Sequence, residues 1–155
     1  MNLYVVQHAV ARPEEEDPSR GLSEEGRADI EKVASFASRY AGITAGTIVH
    51  SGKPRAEQTA AVLADHLRPA GGMTAADGLA PMDNPSVWAA RLADTHEDTI
   101  LVGHLPHLAR LAGLLLCGNE SRLPVAFENA GIVCLCRDDL GVWSVGWMLT
   151  PAILP

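Results

Sequence analysis

Leu3-Tyr4-Val5-Val6-Gln7-His8-Ala9 opens the chain with a short apolar run that ends on a histidine, and Thr99-Ile100-Leu101-Val102-Gly103-His104 ends the same way far downstream. Brief β-branched runs of this kind read as buried strands of a parallel sheet. In open α/β sheets the ligand crevice lies beyond the carboxyl ends of the strands. The two histidines are therefore expected to face one pocket. Between them, Thr47-Ile48-Val49-His50 runs into Ser51-Gly52-Lys53-Pro54-Arg55-Ala56-Glu57-Gln58-Thr59, which puts Arg55 just inside a helix that follows a strand. Two imidazoles, a guanidinium and a helix N-terminus suit an anionic group such as a phosphoryl.

Working outward, residues 11–21 are polar and proline-bearing, and Ser23 caps a helix over 24–40. Its apolar positions Ile30, Val33, Ala34, Ala37 and Tyr40 recur at helical spacing, and Gly42 stops it. A strand over 46–50 precedes a helix over 54–67, which Pro69, Gly71 and Gly72 end. A short strand over 73–76 and an irregular stretch lead to Asn84, which caps a helix over 85–94. The strand over 99–103 delivers His104, and a helix over 106–116 stops before Gly118. Segments 131–137 and 142–149 form a hairpin at the sheet edge, joined at Asp138-Asp139-Leu140-Gly141. This alternation predicts one α/β domain over 1–155, a three-layer αβα arrangement with a mainly parallel sheet that the closing hairpin makes mixed.

The chain has 155 residues, enough for one ordinary domain core, with 47% hydrophobic and 20% charged residues, as in globular proteins. Its longest apolar stretch is far short of a bilayer span, and the start has no basic flank or small-residue cleavage site, so a cytoplasmic location is expected. A net charge of −7 argues against a nucleic-acid or anionic-membrane partner. Any phosphate site must then be a local positive pocket in an acidic protein. The three cysteines, Cys117, Cys134 and Cys136, have neither disulfide-framework nor zinc-site spacing, and Cys134 and Cys136 read as packed thiols on one strand face.

A neutral imidazole can attack phosphorus, splitting one hard displacement into two easier ones, and His8 stands where that role is filled. Arg55 and His104 are candidates to hold the equatorial oxygens, with Gln7 as a neutral donor. His50, at the second strand's end, and His107, one turn into the helix after Pro106, are read as structural rather than as part of the site, and His66 and His96 as exposed imidazoles. Trp88, Trp143 and Trp147 read as packing residues, the last two on one strand face by their spacing.

The joint pattern resembles the histidine phosphatase superfamily, also called phosphoglycerate mutase-like, and within it the short phosphohistidine phosphatases of the SixA type. Gln7-His8-Ala9 matches the family's Arg-His-Gly opening. Ser51 through Thr59 matches its Ser-x-x-x-Arg-Ala-x-Gln-Thr segment, and Gly103-His104-Leu105-Pro106 its Gly-or-Ser-His-x-Pro segment. Arg20-Gly21-Leu22-Ser23-Glu24-Glu25-Gly26 is similar to the stretch that opens the family's first helix. The resemblance covers nearly the whole chain and implies that His8 is the phosphorylated nucleophile, that Arg55 and His104 bind the phosphoryl group, and that no metal or organic cofactor is used. The expected substrate is phosphohistidine in a protein or a small phosphorylated molecule.

The chain departs from the family at Gln7, where arginine is usual. Glutamine keeps a donor and loses a fixed charge, and a lost transition-state donor costs roughly 10²–10³ in rate. Arg12 and Arg20, on the loop beyond the first strand, are the candidates to supply that charge. Asp83, and less directly Asp77, stands where ester-cleaving members have a general acid. Two alternatives accompany the phosphohistidine reading: a catalytically weakened phospholigand-binding module marked by Gln7, and a small-metabolite phosphatase or mutase that turns on Asp83.

Overall fold

The computed structural model describes residues 1–155. Strand β1 (Asn2–Gln7) lies inside a six-stranded sheet with β2 (Thr47–His50), β3 (Met73–Ala75), β4 (Thr99–Gly103), β5 (Ile132–Arg137) and β6 (Trp143–Leu149), in the order β3-β2-β4-β1-β5-β6. The β1, β2, β3 and β4 strands pair in parallel, and β5 runs antiparallel to both β1 and β6, so the sheet is mixed as expected. The register sets Gln7 beside Gly103 and His50 beside Val102. Three strands thus end at nearly the same level, and the loops that carry His8, Ser51 and His104 emerge side by side.

Alternation along β1 divides the core. Tyr4 and Val6 face helices α1 (Glu24–Phe36) and α2 (Pro54–Leu67), where Ile30, Val33, Ala60 and Leu63 complete one apolar layer. Leu3 and Val5 face α3 (Pro85–Ala93) and α4 (His107–Cys117), where Trp88, Leu92, Leu108 and Leu111 complete the other. The three-layer expectation therefore holds. None of the helices is long and apolar enough to cross a membrane.

Local chemistry explains the boundaries. Ser23 accepts from Gly26 N at the start of α1, and Asn84 accepts from Ser86 N at the start of α3. The expected 24–40 helix is α-helical only to Phe36 and then widens into a π-turn, Ala37–Ala41, before Gly42 closes it at φ 62°. At Gly26 a Cβ would collide with the carbonyl of Val10, so only glycine lets α1 press its first turn onto the loop after β1.

The tryptophan expectation requires correction. Trp143 packs with the α3/α4 layer and Trp147 with the α1/α2 layer, on opposite faces of the sheet. The cause is a bulge: Cys134 pairs with Trp147 while the adjacent Leu135 pairs with Val145, so Gly146 is the extra residue and the alternation slips by one. A side chain there would come within 2.7 Å of Cys136 Sγ. The two strand cysteines do share a face, with sulfurs 3.9 Å apart, and burial pushes the Cys134 thiol up to about 12.

Candidate functional site

The His8 backbone N–H donates to Gly103 O at 3.0 Å, continuing the β1–β4 ladder one residue past the strand, and Asn129 Nδ2 donates to His8 O at 2.7 Å. The ring is held as well. His8 Nδ1 lies 2.7 Å from Ala9 O, and because a carbonyl only accepts, Nδ1 carries the proton and Nε2 is left with a free electron pair. The imidazole is half-buried, and burial first, then the charges of Arg55 and Arg20, push it below the ordinary histidine range against the pull of the Ala9 contact. It is neutral at physiological pH.

His104 stacks behind it, ring centroids 4.9 Å apart and planes tilted by 53°. Only 1% of His104 is exposed. Burial lowers it to about 3, with His8, Arg55, Lys53 and His107 adding to the effect, so it too is neutral. Its Nε2 hydrogen-bonds the Ser51 hydroxyl at 2.6 Å, and Ser51 Oγ also accepts from Lys53 N at 3.4 Å.

Each residue of the Arg-Ala-Glu-Gln-Thr segment that faces inward has a task. Arg55, in the first turn of α2, presents a half-buried guanidinium next to His8. Ala56 is fully buried, which lets α2 lie against the sheet. Gln58 Oε1 accepts from Leu22 N at 2.8 Å, and Thr59 Oγ1 accepts from Ala9 N at 3.0 Å while donating to Arg55 O at 2.7 Å. Helix α2 therefore both carries the cation and clamps the loop that follows His8.

That loop brings Arg20 in. Asp17 Oδ1 accepts from the Ser19 N–H and hydroxyl, and its Oδ2 accepts from Gly21 N at 2.8 Å. This tight turn holds Arg20 at φ 52°, a backbone conformation that non-glycine residues rarely adopt. The Arg20 charge acts on both His8 and Arg55, while its Nε donates to Arg12 O at 3.4 Å. Arg12 itself is exposed, and its charge acts on Asp17. The protein's three ion pairs, Glu31–His66, Asp77–Arg91 and Glu120–Arg110, all lie elsewhere. Arg20, Lys53 and Arg55 are thus three cations with no carboxylate partner whose charges act on two neutral imidazoles in an acidic chain.

The remaining candidates divide. Gln7 is half-buried, and its Oε1 is enclosed without a hydrogen-bond partner. Asp83 lies in the loop before α3, where Oδ2 accepts from Ala80 N at 2.8 Å; its charge acts on His107 rather than on His8. Asp77 is exposed and paired to Arg91 at 2.7 Å. His50 is buried and accepts from Gly52 N at 3.2 Å, so it shapes the turn into α2. Among the histidines read as exposed, His66 is half-buried beside Glu31. Sequence reasoning missed Ser51, Lys53 and Asn129 as contributors. The first two stand inside the quoted motif, whereas nothing local marks Asn129.

No family model matches the sequence, and no curated protein matches it. Solved structures do. The protein histidine phosphatase SixA complexed with tungstate aligns with a TM-score of 0.84 at 21% identity over 98% of both chains. A protein assigned as phosphohistidine phosphatase SixA from Agrobacterium tumefaciens aligns at 0.77, with 24% identity over 97% of both chains. Mycobacterial glucosyl-3-phosphoglycerate phosphatase with VO3 aligns at 0.72, with 15% identity over 94% of this chain and 97% of that one. The protein thus shares the fold of these phosphatases over nearly its whole length.

Proposed function

We propose that the protein is a cytoplasmic phosphatase that takes a phosphoryl group onto His8 and passes it to water, acting on phosphohistidine carried by a protein. The observation that carries this reading is the His8 ring: its Nδ1–H is fixed on Ala9 O, its Nε2 is free, and Arg55 and Arg20 act on it. In the first step the Nε2 electron pair attacks phosphorus and the bond to the leaving group breaks. In the second, water attacks phosphorus, the P–Nε2 bond breaks with its pair returning to His8, and the water proton leaves to solvent. Arg55, Arg20 and His104 hold the equatorial oxygens through both steps. A phosphohistidine substrate departs as neutral imidazole after protonation and needs no carboxylate acid. That fits Asp83, whose carboxylate is engaged with the Ala80 N–H and lies toward His107. It weighs against the metabolite phosphatase or mutase reading.

The test is to trap the intermediate. Brief incubation with a ³²P-phosphohistidine peptide should leave an acid-labile, alkali-stable label on wild type and none on His8→Ala, whose turnover should fall at least about 10³-fold. Equal turnover by the two proteins refutes the reading.

A second reading, a phospholigand-binding module, is favoured by Gln7 alone, an uncharged amide with an unpaired buried oxygen. It predicts phosphopeptide binding without turnover, and a rise of about 10²-fold or more in Gln7→Arg. Where Arg20 already supplies the charge, the gain is at most about tenfold.

A further inference from the structure

His107 opens α4 in full burial, and both of its ring nitrogens lack a hydrogen-bond partner. The other enclosed, unpartnered histidine nitrogen in the protein is Nδ1 of His104, one turn earlier, whose carbonyl accepts from Leu108 N at 2.9 Å to start the helix. A buried neutral imidazole has one donor and one acceptor to satisfy, and an apolar residue of similar size would fill the same space without that cost. The surroundings therefore do not explain His107 as packing: its neighbour Leu108 and the nearby Leu111 show what this layer otherwise uses.

We propose that His107 is a positioning residue for His104, the partner of its Nδ1, and that this partnership keeps the His104 proton on Nε2. His104 faces the reacting group through Nε2, the nitrogen that meets the Ser51 hydroxyl, and only an Nε2–H can donate to a phosphoryl oxygen. A donor against Nδ1 selects that tautomer, as the outer partners of functional histidines do elsewhere. Both residues are buried and the His107 charge acts on His104, so a small ring rotation or one enclosed water would complete the link. The charges around the pair come from every side: Asp83 from the loop before α3 and Arg110 from the next turn of α4 act on His107, while His8, Arg55 and Lys53 act on His104. Burial keeps His107 neutral and so able to both donate and accept.

The inference rests on the phosphatase reading for its purpose but not for its test. Long-range ¹H–¹⁵N spectra of the histidine rings, with and without tungstate, report which His104 nitrogen carries the proton whether or not the protein turns substrate over. In wild type the proton should be on Nε2, and in His107→Leu the tautomers should mix while Tm stays at or above wild type. His107→Gln, which keeps an amide donor, should restore the Nε2–H form. With a phosphohistidine peptide, His107→Leu should lose about tenfold in kcat with KM within about twofold, and His107→Gln should recover most of it. An Nδ1–H proton in wild type overturns the proposal, as does a His104 tautomer unchanged in both variants. Should His107→Leu not fold, His107→Phe takes its place with the same expected mixing of tautomers, and a pure Nε2–H form there overturns the proposal. A tautomer shift in a protein with no turnover would sustain this inference and sink the phosphatase reading.

Discussion

Arg137 and Arg55 stand at opposite ends of the same parallel strands, and their guanidiniums live in opposite conditions. At the amino end, Arg137 Nη1 donates to Leu92 O at 2.6 Å and to Ala93 O, and Nη2 donates to Thr95 O at 2.6 Å, so the charge closes the C-terminus of α3. The group lies 5.5 Å from the Trp143 ring centre. Even Asp98 nearby is satisfied, by the N–H and side-chain amide of Asn2 at 2.6 and 3.0 Å. At the carboxyl end, Arg55 has no carboxylate within pairing distance. The amino end also holds a cleft of about 640 Å³ between Met1, Ala93, His96 and Trp143. Arg137, three of whose N–H donors meet carbonyls, stabilises the fold, whereas Arg55, with no such partner, is free to meet the anion that the proposed reading requires.

Exchanging the two arginines for alanine is the sharpest way to break that comparison. Arg55→Ala should lower kcat/KM by about 10²–10³ with Tm little changed, because a half-buried cation without partners adds nothing to stability. Arg137→Ala should leave turnover within about twofold and cost about 2–3 kcal/mol, a Tm drop on the order of 5–10 °C, because three carbonyls lose a charged donor. Thermal melts and peptide-phosphatase assays on both variants check the pair. If Arg55→Ala melts early and Arg137→Ala is inactive, the assignment of the two ends is reversed.

Arg20 sharpens the comparison within the site. If, as proposed, its charge stands in for the arginine that Gln7 lacks, Arg20→Ala should lower turnover about tenfold. It should also move the pH profile. Burial first, then Arg55 and Arg20, hold His8 below its ordinary value of 6.5, so the active neutral form persists below that pH and is lost only as pH falls through the lowered value. Removing Arg20 removes one depressing charge, and the acid limb of kcat/KM should shift upward. A limb that stays in place, or shifts down, shows that Arg20 does not reach His8 in solution.

Much of this was legible in the chain because it is set by local chemistry. Apolar runs bounded by Ser23, Pro54, Asn84 and Gly118 mark helices and strands, and strand ends mark the crevice. What stayed hidden depends on contacts distant in sequence. Gly146 is the extra residue where the β5–β6 register slips, close against Cys136 of the other strand, and that slip sends Trp143 and Trp147 to opposite faces. Asn129 reaches His8 O across 121 positions of chain, and the Ser51–His104 bond joins two loops 53 positions apart. The choice between Arg12 and Arg20 was equally closed to sequence, since both are exposed on one loop and what separates them is that the Arg20 charge acts on His8 and the Arg12 charge on Asp17.

Arg12→Ala therefore carries the smallest expected effect and the finest resolution. Arg12 is exposed, its charge acts on Asp17, and what it gives the site is its backbone carbonyl, which the Arg20 Nε–H meets at 3.4 Å. Alanine keeps that carbonyl. Turnover should change by less than about twofold and the acid limb should stay where it is, because Arg12 is not among the charges that depress His8. The electrostatic reach of an exposed cation is short in salt, on the order of the 8–10 Å Debye length, so repeating the assay at low ionic strength makes the comparison stricter. If Arg12→Ala matched Arg20→Ala in both rate and profile, the positive charge at the mouth would be a diffuse property of the loop. If only Arg20→Ala moves them, the Asp17 turn delivers one specific guanidinium to the place of the missing arginine.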